Sequence, residues 1–232
     1  MKLHEQIYQT HRELIESLTL QLADHLRGAI EHHGNISFVV SGGNTPKPLY
    51  KQLSQQHLAW DHVTICPSDE RWVATDHDDS NYKMLKNTLL QNAADKASLL
   101  SLKSDQAFSD AAMSLTPAVQ ALSKPLNIVL LGMGDDGHIA SLFPDANELE
   151  HALSAPLSEP VSTIQSESKG ARVTLTLPTL LNAEHIFLLF TGNEKWHVYK
   201  KAKESPSSLS LPIGHLLHKA TCPLTVCWSP DV

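Results

Sequence analysis

The sequence predicts an α/β fold, a mainly parallel β-sheet covered by helices on both faces. Short apolar runs alternate along the chain with amphipathic stretches of helical period, and several runs end directly in loops bearing Gly, Asp or Lys. Length agrees with that architecture. At 232 residues the chain fits one domain, 1–232, with a real core, and no segment rich in Pro, Gly or Ser divides it.

Leu14, Leu18, Leu22, Leu26 and Ile30 recur every fourth residue among polar neighbours, the pattern of a long amphipathic helix with one face on a core. Gly34-Asn35 ends it. Residues 36–40 then form a short apolar strand, and Ser41-Gly42-Gly43-Asn44-Thr45-Pro46 is the turn after it. Pro46 suits the first turn of a helix that continues through Leu49, Tyr50 and Leu53. The pattern repeats at 63–66, a strand followed by Ser68-Asp69-Glu70-Arg71-Trp72 and an Asp-rich loop.

A helix beginning at Ser80 or Asn81 carries Tyr82, Leu85, Leu89 and Leu90. Residues 108–122 read as a helix interrupted or kinked at Pro117, and 128–131 as a buried strand. A glycine-rich loop follows, after which the chain is expected to turn helical. Residues 150–170 read as a long excursion, a candidate mobile loop. Strict alternation at 172–177 marks a half-buried strand. The apolar run 186–190 leads into Thr191-Gly192-Asn193-Glu194-Lys195, and 224–228 is the last strand. Alternation of this kind, joined by right-handed crossovers, gives a Rossmann-like sheet.

Composition narrows the function. The chain is 41% hydrophobic and 19% charged, which argues against disorder. A net charge of −7 disfavours a nucleic-acid partner, which needs a basic face. Any anionic ligand must therefore meet a local cluster of cations. No window approaches a membrane span, and residues 1–10 hold no apolar core of a signal peptide. Three cysteines, Cys66, Cys222 and Cys227, are too few for a disulfide framework and point to reduced thiols in the cytoplasm. With fourteen histidines, a histidine needs context before it is assigned a role.

That context exists at Gly132-Met133-Gly134-Asp135-Asp136-Gly137-His138. In a parallel sheet the ligand crevice lies beyond the carboxyl ends of the strands. The loops at Gly42-Gly43, Asp69-Glu70-Arg71, 132–138 and 192–195 each follow a strand, so all four are expected on one rim. The glycine loop satisfies G-x-G-x-x-G literally, yet dinucleotide binding is the wrong reading. Two aspartates would repel a pyrophosphate, Pro144 would disturb a long following helix, and no acid-ended strand follows about 20 residues later. As a metal ligand, His138 lacks partners at ligand spacing. As a structural cap it is the ordinary lone histidine. As a general base oriented by Asp136 it suits its place at the end of a strand best.

The remaining motifs carry weaker signals. Ser41-Gly42-Gly43-Asn44-Thr45 is either a tight turn or a phosphate cradle of backbone N–H groups and the Thr45 hydroxyl. Asp69-Glu70-Arg71 is either a solvated charge cluster or part of the site. Arg172 points to solvent or to the crevice. Lys195 opens a helix, where its charge opposes the helix dipole unless an anion is bound, and that misfit marks it as a phosphate ligand.

Taken together, these residues resemble the 6-phosphogluconolactonase family, within a wider group that includes the glucosamine-6-phosphate deaminases. The matching segments, in the family's order, are Ser41-Gly42-Gly43-Asn44-Thr45-Pro46, Asp69-Glu70-Arg71-Trp72-Val73 with Asp79-Ser80-Asn81-Tyr82, and the loop from Gly132 to His138 running on through Ala140-Ser141-Leu142-Phe143-Pro144. Arg172-Val173-Thr174 with Pro178, and Gly192 with Lys195, complete the match. Phe143 stands where the deaminases resemble one another in a glutamate, and Arg71 where they carry an aromatic, which favours a lactonase. Asn44 departs from the lactonase pattern, where serine is common.

The resemblance implies hydrolysis of 6-phospho-D-glucono-1,5-lactone in the oxidative pentose phosphate route. His138 would be the general base and then acid, with Asp136 holding its ring. Gly42, Gly43, Asn44, Thr45, Asp69, Arg71, Gly134, Arg172 and Lys195 would hold the substrate, and glycine-loop N–H groups would stabilise the oxyanion. No metal or cofactor is expected, because a lactone is already an activated ester. The expected partner is the small-molecule lactone alone, and the sequence carries no signal for an oligomeric state.

Overall fold

The computed structural model describes residues 3–205 and 208–230. In chain order the strands are β1 (Leu3–Ile7), β2 (Ile36–Val40), β3 (Val63–Pro67), β4 (Asp69–Arg71), β5 (Ser98–Leu99), β6 (Leu126–Gly132), β7 (Val161–Ser166), β8 (Gly170–Leu175), β9 (Ala183–Thr191) and β10 (Leu224–Ser229). The α-helices are α1 (His11–His33), α2 (Lys47–Leu53), α3 (Asn81–Thr88), α4 (Ala111–Gln120), α5 (Leu149–Ser154), α6 (Leu177–Leu181), α7 (Asn193–Glu204) and α8 (Pro212–Lys219). Seven strands form a parallel sheet in the order β1-β10-β9-β6-β2-β3-β5.

Both faces of this sheet are buried, so its central strands carry near-continuous apolar runs rather than strict alternation. Phe38 and Val40 of β2, with Ile128, Leu130, Phe187 and Leu189, pack beneath Leu14, Leu18, Leu22 and Leu26 of α1 and Leu49 and Tyr50 of α2. Val39 points the other way, joining Val129, Leu131, Leu188 and Phe190 under α4, α7 and α8. The fourfold leucine spacing of α1 is thus the stripe that covers one face. Gly34 ends α1 at φ +77°, its N–H donating to the Ile30 carbonyl at 2.8 Å.

Several sequence expectations need correction. The strand at 172–177 is β8, and it belongs to a separate antiparallel sheet, β4-β8-β7, rather than to the parallel one. The presumed loop Asp69-Glu70-Arg71 is itself a strand of that sheet. Residues 150–170 are not a long excursion: they hold most of α5 and all of β7, whose turn returns the chain to β8. After His138 the chain makes successive turns and becomes helical only at Leu149. The helix at 108–122 is shorter, a 3₁₀ turn followed by α4, and it runs through Pro117. Strand β1 escaped the sequence reading because Leu3-His4-Glu5-Gln6-Ile7 places three polar residues together, a pattern tolerated at the edge where it pairs with β10.

Candidate active site

From β2 the sheet grows through β3 to β5 on one side, whereas β6 and β9 lie on the other. This is the reversal of strand order at which open parallel sheets leave a crevice beyond their carboxyl ends. A cleft of about 590 Å³ lies there. Its walls come from the loops after β2, β3, β6 and β9, so the four predicted loops do share one rim.

His138 and Asp136 meet in this cleft. His138 Nδ1 lies 2.5 Å from Asp136 Oδ1, and the His138 backbone N–H donates to the same oxygen at 3.1 Å. Burial pulls the Asp136 pKa upward, but the hydrogen bonds and charge of His138 outweigh it and hold the carboxyl down at about 2. An ionised carboxylate that accepts from Nδ1–H leaves Nε2 as the ring nitrogen able to take up a proton. Phe143 packs against the imidazole with centroids 4.7 Å apart.

Gly134 makes this arrangement possible. A Cβ at that position would lie 2.1 Å from the Nδ1 and Cε1 of His138 and 2.8 Å from Asp136 Oδ1. The loop is closed by Gly134 N–H donating to the His138 carbonyl at 2.9 Å and Gly137 N–H donating to the Gly134 carbonyl at 3.1 Å. Of the glycine-loop N–H groups expected to face an oxyanion, those of Gly134 and Gly137 are therefore already engaged. Ala140 adopts φ +47° in the next turn, a left-handed conformation that costs an L-residue about 1–2 kcal/mol. That turn is anchored on both sides. Ser141 N–H donates to Thr174 Oγ1 at 3.2 Å, and Ser141 Oγ donates to Asp69 Oδ2 at 2.6 Å.

Asp69 thus lines the cleft and also ties the histidine loop to β4. Its neighbour Glu70 has a structural task. The buried Glu70 carboxylate accepts from the backbone N–H groups of Arg71, Asn81 and Tyr82 and from the Ser80 hydroxyl, fastening α3 against β4. Burial lifts its pKa, and the three backbone donors oppose that rise. Asn81 then reaches back, donating to the Asp69 carbonyl at 2.8 Å, and its amide fills the space over Gly42. A Cβ on Gly42 would lie 2.1 Å from Asn81 Oδ1.

Gly42, Gly43, Asn44 and Thr45 all line the cleft. The N–H groups of Gly43, Asn44 and Thr45 donate to no acceptor among the described residues, and Gly43 turns the chain at φ +89°. Beside them Ser41 is 5% exposed, and its Oγ has no hydrogen-bond partner there. Sequence reading passed over that hydroxyl because only the fold shows it buried and unpaired.

The expected cations are distributed unequally. Arg71 lines the cleft and donates to the Asp79 carbonyl. Lys195 lines it too, but its ammonium already donates to the Met133 carbonyl at 2.8 Å and lies 3.7 Å from Asp135. These partners remove the misfit inferred from its place at the start of α7. Arg172 is not among the lining residues. It pairs with Arg71 in the β4–β8 register and donates to the Ala171 carbonyl at 3.0 Å. Burial and then the charge of Arg71 depress its pKa, and the register sets the two residues side by side on one face of the small sheet. Lys169, which the sequence did not single out, lines the cleft instead.

Among the described residues no group of three or more His, Cys, Asp or Glu side chains is arranged to hold a metal, and no helix is long and apolar enough to cross a membrane. The three cysteines are free thiols, and burial pushes Cys66 and Cys227 up to about 12.

Comparison with known proteins bears on the fold and the family. The family model for glucosamine-6-phosphate isomerases/6-phosphogluconolactonase matches residues 9–227. A 6-phosphogluconolactonase of Rhizobium meliloti (strain 1021) is 34% identical over 99% of this chain and 100% of its own length. Another, of Mesorhizobium japonicum, is 36% identical over 94% of this chain and 92% of its own. The crystal structure of a 6-phosphogluconolactonase from Shewanella baltica OS155 superposes with a TM-score of 0.95 at 33% identity, covering 98% of both chains. With the matched residues reaching from the start of α1 into the last strand, this chain belongs to the glucosamine-6-phosphate isomerase/6-phosphogluconolactonase family.

Proposed function

We propose that this chain, as one catalytic domain over 1–232 acting in the cytoplasm, hydrolyses 6-phospho-D-glucono-1,5-lactone to 6-phospho-D-gluconate in the oxidative pentose phosphate route. The observation that carries the reading is the His138–Asp136 pair, held over Gly134 in a cleft that also presents Arg71, Lys195 and a row of unengaged backbone N–H groups. Phe143, packed on the imidazole where a deaminase would need a carboxylate, favours the lactonase over the aminosugar reaction.

In this mechanism His138 Nε2 takes a proton from water as the water oxygen bonds to C1 and the carbonyl electrons move onto oxygen. The tetrahedral intermediate then collapses, the bond between C1 and the ring oxygen breaks, and the imidazolium gives its proton to the departing oxygen. The enzyme ends in its starting protonation state with no covalent link to substrate. Asp136, ionised throughout, orients the ring and stabilises the imidazolium. Gly42, Gly43, Asn44, Thr45, Arg71 and Lys195 hold the phosphate and the sugar hydroxyls, with Arg172 beside Arg71 in the β4–β8 register.

The test is hydrolysis of freshly generated lactone by wild type and His138→Ala, each corrected for the spontaneous rate. Loss of a general base costs about 10²–10⁴-fold, or roughly 3–5 kcal/mol of barrier, while 6-phosphogluconate binding should persist. Near-normal turnover by His138→Ala would remove this residue from the mechanism. A wild type no faster than background would remove the activity.

A further inference from the structure

We infer that Lys169, at the tip of the β7–β8 hairpin, is a specificity residue that binds the substrate's phosphate across the cleft. The inference rests on the phosphorylated lactone being the substrate. Of the three cationic side chains lining the cleft, Arg71 and Lys195 already donate to the carbonyls of Asp79 and Met133, and Lys195 also faces Asp135. The Lys169 ammonium has no hydrogen bond or ion pair among the described residues. The cleft also contains Asp69, Asp135 and Asp136, so a phosphate carrying close to two negative charges gains from a third cation, with no partner of its own among the described residues, beside Arg71 and Lys195.

The hairpin is built to hold that lysine in place. Ser166 and Gly170 are the last paired residues, leaving Glu167-Ser168-Lys169 as a three-residue loop. Gly170 at φ +75° supplies the left-handed residue that closes such a loop. Asp145 pins the tip from the chain segment that follows the catalytic loop. Its Oδ2 accepts from Ser166 Oγ at 2.9 Å, from Ser168 N–H at 3.1 Å and from Ser168 Oγ at 2.9 Å. Ser166 Oγ in turn accepts from the Lys169 N–H at 3.0 Å. An exposed tip with no task has little reason to be fastened by four hydrogen bonds directly beside the cleft. The fastening limits the freedom that a lysine backbone would otherwise lose on binding an anion.

The experiment compares wild type, Lys169→Ala and Lys169→Arg on the phosphorylated lactone and on unphosphorylated glucono-1,5-lactone, with calorimetric Kd values for 6-phosphogluconate. Lys169→Ala should raise KM for the phosphorylated lactone about tenfold or more, mainly in KM rather than kcat. The ratio of kcat/KM for phosphorylated over unphosphorylated lactone should fall by the same factor, and Lys169→Arg should restore most of it. Asp145→Ala, which frees the tip without removing the charge, should show a smaller loss of the same kind. An unchanged KM and an unchanged Kd in Lys169→Ala overturn the inference. If wild type fails to hydrolyse the lactone, the proposed activity falls, and the Kd comparison still decides Lys169: weaker binding by Lys169→Ala supports it, equal binding overturns it. A wild type that binds no 6-phosphogluconate overturns both.

Discussion

Gly134→Ala is a sharp probe of the catalytic geometry, because the glycine's missing side chain is what gives the imidazole its position. The added methyl would lie 2.1 Å from two atoms of the His138 ring, and ordinary contact begins at 3.4 Å, so the ring must retreat by about 1.3 Å. The obstacle is a side chain that can swing, and Gly134 is not among the glycines at positive φ, so the backbone is not forced out of shape. Misplacing a catalytic group by about 1 Å can cost on the order of 10²-fold, near 2.7 kcal/mol of barrier. The loss should therefore appear in kcat, with KM little changed and the thermal midpoint within a few degrees of wild type. The assay is initial-rate hydrolysis of freshly generated lactone, corrected for the spontaneous reaction and paired with a melting curve. A variant retaining kcat within about threefold of wild type would refute the placement of His138 as the base.

Two further substitutions test the groups around it. Asp136→Asn should lower kcat by about 10²–10⁴-fold, because an amide that donates to Nδ1 moves the imidazole proton onto Nε2, where the base is needed. The same variant has a signature in stability. The Asp136 pKa is lowered to about 2 in the folded chain, so its contribution is present above the unfolded value near 3.8 and is lost as pH falls through about 2. The full shift corresponds to roughly 2.4 kcal/mol, and a side chain 40% exposed keeps only about 1 kcal/mol of that after solvent screening. Denaturation of wild type and variant between pH 2 and 6 should therefore converge at the acid end, and a constant gap would contradict this assignment. Lys195→Ala should raise KM for the phosphorylated lactone about tenfold and also reduce kcat, because it strips the donor from the Met133 carbonyl next to Gly134. Steady-state kinetics showing an unchanged KM would place the phosphate elsewhere.

The legible parts of the fold are those in which local pattern and tertiary fate coincide. The Leu14-to-Ile30 stripe is readable because α1 buries one face, and the apolar runs of β2, β6 and β9 because both faces of the sheet are covered. His138 and Asp136 were readable because their separation of two residues puts the carboxylate within reach of the ring in a tight loop. Strand β1 was hidden by its polar edge position. The antiparallel sheet was hidden because strand alternation at 172–177 does not name a partner, and Asp69-Glu70-Arg71 is too short and too charged to announce a strand. Lys195 was selected for a dipole misfit that Met133 and Asp135 relieve across 60 or more residues of chain.

By itself the sequence determined the α/β class, the loops that meet at the strand ends, and the histidine–carboxylate pair, because each depends on residues adjacent or periodic along the chain. Only the tertiary structure decided which groups around that pair remain free to meet a ligand. It brought Asp69 to Ser141 and set Arg172 opposite Arg71 across the β4–β8 pair. It buried the Ser41 hydroxyl without a partner among the described residues, and it set Lys169 on the rim of the cleft. The physical reason is that a side chain's availability depends on its burial and on the partners it has already acquired, and those partners come from segments that the chain joins only on folding.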